Sequence, residues 1–161
     1  MRKRFLLSLL VLAPTLAMSF PVAAHAQDVG VGTWKLNLAK SKYEPASLTP
    51  KSQAVRFDAL EGGGMKVTAD TVDAQGTRVH TEVVTMFDGK ASNVRGGADA
   101  DARVYRRIDN RTYEFVAWVN GRPTTTTRTV IAADGKTRTN TTTGTNAQGQ
   151  RISSVAVYDK Q

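Results

Sequence analysis

The chain contains no cysteine. That excludes disulfides, thiolate metal sites, thiol nucleophiles and redox pairs. It also excludes the lipidated cysteine of a bacterial lipoprotein. Histidine is nearly as scarce, with two in 161 residues, His25 and His80. Only His80 lies beyond the N-terminal leader described below. One histidine without cysteine is too small a ligand set for a typical zinc site. Any Ser-His-Asp arrangement would have to use His80, and no Gly-x-Ser-x-Gly elbow is present to supply its serine. No metal, cofactor or catalytic residue is therefore expected. Long apolar runs are missing too: the longest, Phe5 to Phe20, is broken by Pro14 and is short for a membrane span.

That run has another meaning. Arg2, Lys3 and Arg4 precede it, and Ala24-His25-Ala26 follows it as a small-residue cleavage site. Together these read as a secretory signal peptide over residues 1–26, leaving a single domain over residues 27–161. With no cysteine, the expected address is the periplasm of a Gram-negative bacterium or the medium outside it. Loss of three basic residues lowers the net charge from +8 to +5. The remaining charges are interspersed, without the basic tail or stripe that nucleic-acid binding would favour.

What is abundant is turn and strand chemistry. Arg111 to Val119 is rich in aromatic and β-branched residues and runs into Asn120-Gly121. A threonine-rich run then reaches Asp134-Gly135, a second reaches Gln148-Gly149, and Arg151 to Tyr158 closes the series. Asn-Gly and Asp-Gly between β-formers are strong hairpin signals, because type I′ turns need positive φ at both central residues. Upstream, Lys51 to Leu60 alternates with Val55 and Phe57 on one face. Thr77 to Phe87 places Val79, Thr81, Val83, Thr85 and Phe87 together, opposite His80 and Glu82. Asp88-Gly89 is the expected turn after it, and Ala39 to Pro50 the expected loop. The fold class is all-β: an antiparallel up-and-down barrel of about eight to ten strands. Turns followed by a basic residue recur at Arg78, Arg138 and Arg151, which is convergent hairpin chemistry and not a repeat of fixed period.

Gly32-Thr-Trp-Lys-Leu-Asn37, then Ala39 to Tyr43, resembles the opening of a group of small, secreted, largely uncharacterised bacterial proteins, whose ends are similar to Ala132 to Lys136 and Val155 to Lys160. More distantly, Gly32-x-Trp34 near the start and Val157-Tyr158 near the end resemble the lipocalin and fatty-acid-binding-protein superfamily. That resemblance implies a lipocalin-like barrel around a cavity for a small apolar molecule, with the early Trp across its floor. The departures are specific. The segment 37–50 is too short for the two-helix lid of fatty-acid-binding proteins. Ala156 stands where those proteins carry a carboxylate-binding Arg two residues before the terminal Tyr.

The expected function is non-catalytic binding of a small apolar or amphipathic molecule. Trp34, Phe57, Phe87, Phe115 and Tyr158 would desolvate it, and Arg106 or Arg128 would orient its polar end. The alternative is a structural or interaction protein of the cell envelope with a filled barrel. His80 with Glu82 reads as a solvated outer face, not as a base and its partner. Asp99 and Asp101 read as loop residues, since the spacing of a calcium loop is absent.

Overall fold

The computed structural model describes residues 28–97 and 99–161; the expected leader, residues 1–26, lies outside them. The strands are β1 (Gly32–Leu36), β2 (Lys42–Glu44), β3 (Ser52–Ala59), β4 (Met65–Val72), β5 (Arg78–Thr85), β6 (Asp88–Arg95), β7 (Ala102–Arg107), β8 (Thr112–Val119), β9 (Arg122–Ile131), β10 (Thr137–Thr145) and β11 (Arg151–Lys160). Pairing runs β1-β3-β4-β5-β6-β7-β8-β9-β10-β11, every pair is antiparallel, and β11 pairs back onto β1. The result is the closed, all-β, up-and-down barrel that the turn spacing implies, with ten strands in the ring.

The short β2 stands beside this ring. It pairs with β11 just beyond β1, so β1 and β2 form one strand interrupted by a 3-10 turn at Leu38–Lys40. Asn37 anchors the interruption: its side chain accepts from the Lys40 amide and donates to Asp159 at 2.7 Å. Ser41 Oγ accepts from the Val157 amide at 2.9 Å, replacing a ladder carbonyl that the turn removes. The segment expected to be a loop is thus partly strand.

The Asn120-Gly121 hairpin has positive φ at both residues, 50° and 72°. The turn expected at Asp88-Gly89 falls earlier. The chain reverses at Met86 and Phe87, with Phe87 at φ 54°, and Asp88 already belongs to β6. The Phe87 ring decides this. It meets Tyr113 at 5.8 Å and Tyr105 at 6.0 Å, edge to face, and carries the Arg107 guanidinium 4.3 Å above it. The β5–β6 ladder that follows has two residue pairs, against eight for β4–β5, and is the thinnest seam of the ring. Gly96, at φ 75°, crosses there so closely that a Cβ would sit 2.0 Å from the His80 carbonyl oxygen.

Alternation sets the core. Trp34, Leu36, Val55, Phe57, Met65, Val67, Val83, Tyr105, Tyr113, Ile131, Ala156 and Tyr158 form one buried cluster, concentrated toward one end of the barrel. The N-terminal segment seals that end. The Trp34 indole donates to the Gly30 carbonyl at 2.8 Å, Lys160 donates to the Val29 carbonyl, and Asp28 pairs with Arg107 at 2.6 Å. On β8 both faces are apolar in sequence; Tyr113 and Ala117 take the buried inward side, with Phe115 packed against the core.

Candidate functional site

Hairpin register carries an inward face from one strand to the next, because directly opposed residues lie on the same side of the sheet. On β9 the inward set is Thr127, Thr129 and Ile131, all buried. Ile131 is opposed by Arg138 on β10, and Arg138 by Tyr158 on β11. Arg138 is therefore drawn into the core, where it is 1% exposed. Its guanidinium carbon lies 4.3 Å from the Tyr158 ring centroid, 4.7 Å from Phe57 and 5.6 Å from Trp34.

These rings offset part of the cost of burying a cation. They do not satisfy its hydrogen bonds: Nε and Nη1 of Arg138 are buried without an acceptor. Arg138 forms no ion pair among the described residues. The Tyr158 hydroxyl beside the guanidinium is its hydrogen-bond partner, and the inward polar side chains bond among themselves. Tyr158 Oη donates to Gln53 Oε1, Gln53 Nε2 donates to Thr71, Thr129 donates to Asn140 at 2.9 Å, and Thr127 pairs with Thr142 at 2.8 Å.

A second arginine points inward from β7. Arg103, its side chain 15% exposed, lies 5.2 Å over the Phe115 ring and bonds Asp99 at 3.2 Å. Its Nε also lacks an acceptor. Tyr105 and Tyr158 lie within the field of both guanidiniums. Burial pushes both phenols above their ordinary value, and the two arginines oppose that rise. Burial likewise raises Tyr113 and Tyr43.

Trp34, Phe57 and Tyr158 lie in the buried core, and Phe87 and Phe115 pack against it. The two arginines named from sequence do not join them. Arg106 is 74% exposed and Arg128 51% exposed, and both pair with Glu114 on the outer wall. This corrects the expectation that either would orient a ligand inside. Their strands are right, but their parity is outward, and Arg103 and Arg138 occupy the inward positions. The missed signal was Thr127, Thr129 and Ile131 alternating on β9, with Arg138 directly across the Asp134-Gly135 turn. His80 lies on the outer wall, bonded to Asp70 at 2.7 Å, while Glu82 pairs with Lys66. Asp101 accepts from the Asn120 amide, and Asp99 from Arg103. No cluster of three metal-ligating side chains occurs among the described residues.

Open space is small at the sealed end. A cavity of about 10 Å³ touches Phe57, Phe87, Arg107 and Tyr113 there, which is roughly enough for one water. A depression of about 460 Å³ lies at the far end beside the β10–β11 turn, lined by Thr143, Gly144, Arg151 and Ile152. No helix among the described residues is long and apolar enough to cross a membrane.

Fold and site together define a closed β-barrel with an aromatic floor and a buried, incompletely satisfied arginine. No family model and no curated protein matches the chain. Among solved structures it is similar to the wild-type fluorescent protein UnaG, at TM-score 0.54 and 14% identity, over 81% of this chain and 96% of that one. A point mutant of UnaG is 18% identical over 81% of this chain and 94% of that one, at TM-score 0.47. At such identity the likeness is one of fold. It agrees with the barrel implied by the resemblance to lipocalins and fatty-acid-binding proteins.

Proposed function

We propose that this protein binds a small amphipathic anion inside its barrel and performs no chemistry on it. Arg138 carries this reading: a buried guanidinium with two nitrogens lacking acceptors and no ion-pair partner among the described residues. Burying a charge costs several kcal/mol unless it is paired and fully hydrogen-bonded. An acid group is the partner whose geometry fits a guanidinium best. Phe57, Tyr158 and Trp34 around it would desolvate the apolar body of the same molecule. Because the floor is tightly packed, binding requires these rings to part. The non-catalytic reading is supported by the position of His80, which is exposed on the outer wall and bonded to Asp70. The signal-like N-terminus supports a periplasmic or secreted address.

A second reading has its own observation. The cavity of about 10 Å³ at the floor suits a filled barrel whose role is structural, with Arg138 as the hub of a ring cluster. Titration calorimetry with hexadecanoic acid and with hexadecanol separates the two. A charge-assisted hydrogen bond is worth about 1.5–3 kcal/mol, so the acid is expected to bind roughly 10- to 100-fold more tightly than the alcohol. Equal affinity, or no heat from either, would overturn the anion reading and leave the filled barrel.

A further inference from the structure

Arg138 is not the only inward cation. Arg103 enters the barrel from β7, and its Nε is also buried without an acceptor. Its one carboxylate partner among the described residues is Asp99, from the loop between β6 and β7, at 3.2 Å. That contact is longer than the 2.7–2.9 Å usual between charged nitrogen and oxygen. The Asp99 side chain is 70% exposed while that of Arg103 is 15% exposed. A ligand acid that takes the place of Asp99 keeps the buried guanidinium paired and leaves the Asp99 carboxylate in the solvent it already largely faces. Tyr105 lies in the field of both arginines; its ring is 5.0 Å from Phe115, which Arg103 overlies, and 6.5 Å from Tyr113. The interior thus presents two cations joined by an aromatic wall, and neither has a complete set of acceptors.

We infer that Arg103 is a second acid-binding subsite, held in the free protein by Asp99, so that the preferred ligand carries two acidic groups separated by an apolar body. This rests on the anion reading of Arg138. One acid group meets Arg138 at the floor. The other displaces Asp99 from Arg103 and brings two well-oriented oxygens where the loop supplied one. Asp99 is a built-in competitor, and removing its charge should help the ligand.

The test compares hexadecanoic acid with hexadecanedioic acid by titration calorimetry, on the wild type and on the Arg103→Gln and Asp99→Asn variants. The wild type is expected to favour the diacid by about tenfold, the worth of one further charge-assisted bond. Arg103→Gln should bring the ratio between the two ligands close to one. Asp99→Asn should tighten diacid binding several-fold, and it keeps the inference open to refutation if the Arg103 variant fails to fold. Equal affinities in the wild type, or a diacid preference that survives Arg103→Gln, would overturn the second subsite while leaving Arg138 as an anchor. If neither acid binds, the anion reading itself fails.

Discussion

Replacing Arg138 by methionine is expected to make the ligand-free protein more stable, by about 1–4 kcal/mol, while abolishing its preference for acids. The magnitudes decide the sign. Taking a guanidinium out of water costs several kcal/mol even after relaxation, and replacing buried charges with apolar residues of similar volume is often neutral or stabilising by this amount. A desolvated cation–π contact returns about 2 kcal/mol, and three rings share one cation at 4.3, 4.7 and 5.6 Å. The unbonded Nε and Nη1 remain as an uncompensated cost. Methionine fills the stem's volume with a flexible apolar chain and carries no charge. Urea denaturation of the two proteins without ligand reads the difference. A variant less stable than the wild type would mean that Arg138 is a structural hub, as the filled barrel requires. A gain in stability together with lost acid binding marks a residue kept for its ligand.

The second large effect lies at high pH. The chain has four tyrosines, Tyr43, Tyr105, Tyr113 and Tyr158. Burial is the leading cause in each, and all four phenols are held above their ordinary value of 10.0. The folded barrel therefore keeps protons that the unfolded chain releases. Stability is unaffected while both states are protonated, and it falls as pH rises through the unfolded value near 10. Each tyrosine protonated in the barrel and ionised in the unfolded chain contributes a slope of about 1.4 kcal/mol per pH unit. Absorbance of the phenolate should thus stay flat as pH approaches 10 and then rise together with the loss of β-sheet circular dichroism. Tyrosines that titrate one by one near pH 10, with the sheet signal intact, would show an interior open to hydroxide.

Much of the barrel was legible because β-structure writes a local code. Asn120-Gly121 turns as its composition requires, with both residues at positive φ. Alternation along β3 placed Val55 and Phe57 inside, and both are buried. Where local code and packing conflict, packing prevails. Asp88-Gly89 has the better turn composition, but the Phe87 ring is seated among Tyr105, Tyr113 and Arg107, and the reversal moves to Met86 and Phe87. The arginines were the harder problem. A strand's period of two means that an error of one position exchanges inside for outside. A period of two groups Arg106 with the apolar Val104 and Ile108, which suggests the inside, yet Tyr105 is the buried neighbour and Arg106 faces solvent. Arg128 shares a face with the apolar Val130, but Val130 is itself exposed. Arg138 reads as an ordinary charged residue after a turn until its register with Ile131 and Tyr158 is known. Register across hairpins is long-range information that one strand's composition does not hold.

The central claim is that the Arg138 guanidinium awaits an anion. Its Nε–H is buried and without an acceptor, so its nuclear magnetic resonance signal reports the acceptor directly. The measurement is an arginine-selective ¹⁵N–¹H spectrum, assigned with the Arg138→Met variant and recorded through a titration with hexadecanoic acid. A marked downfield shift of the Arg138 Nε proton, saturating with the calorimetric binding curve, is the predicted result. An Nε signal that stays fixed while the acid binds would place the acid elsewhere and contradict the account.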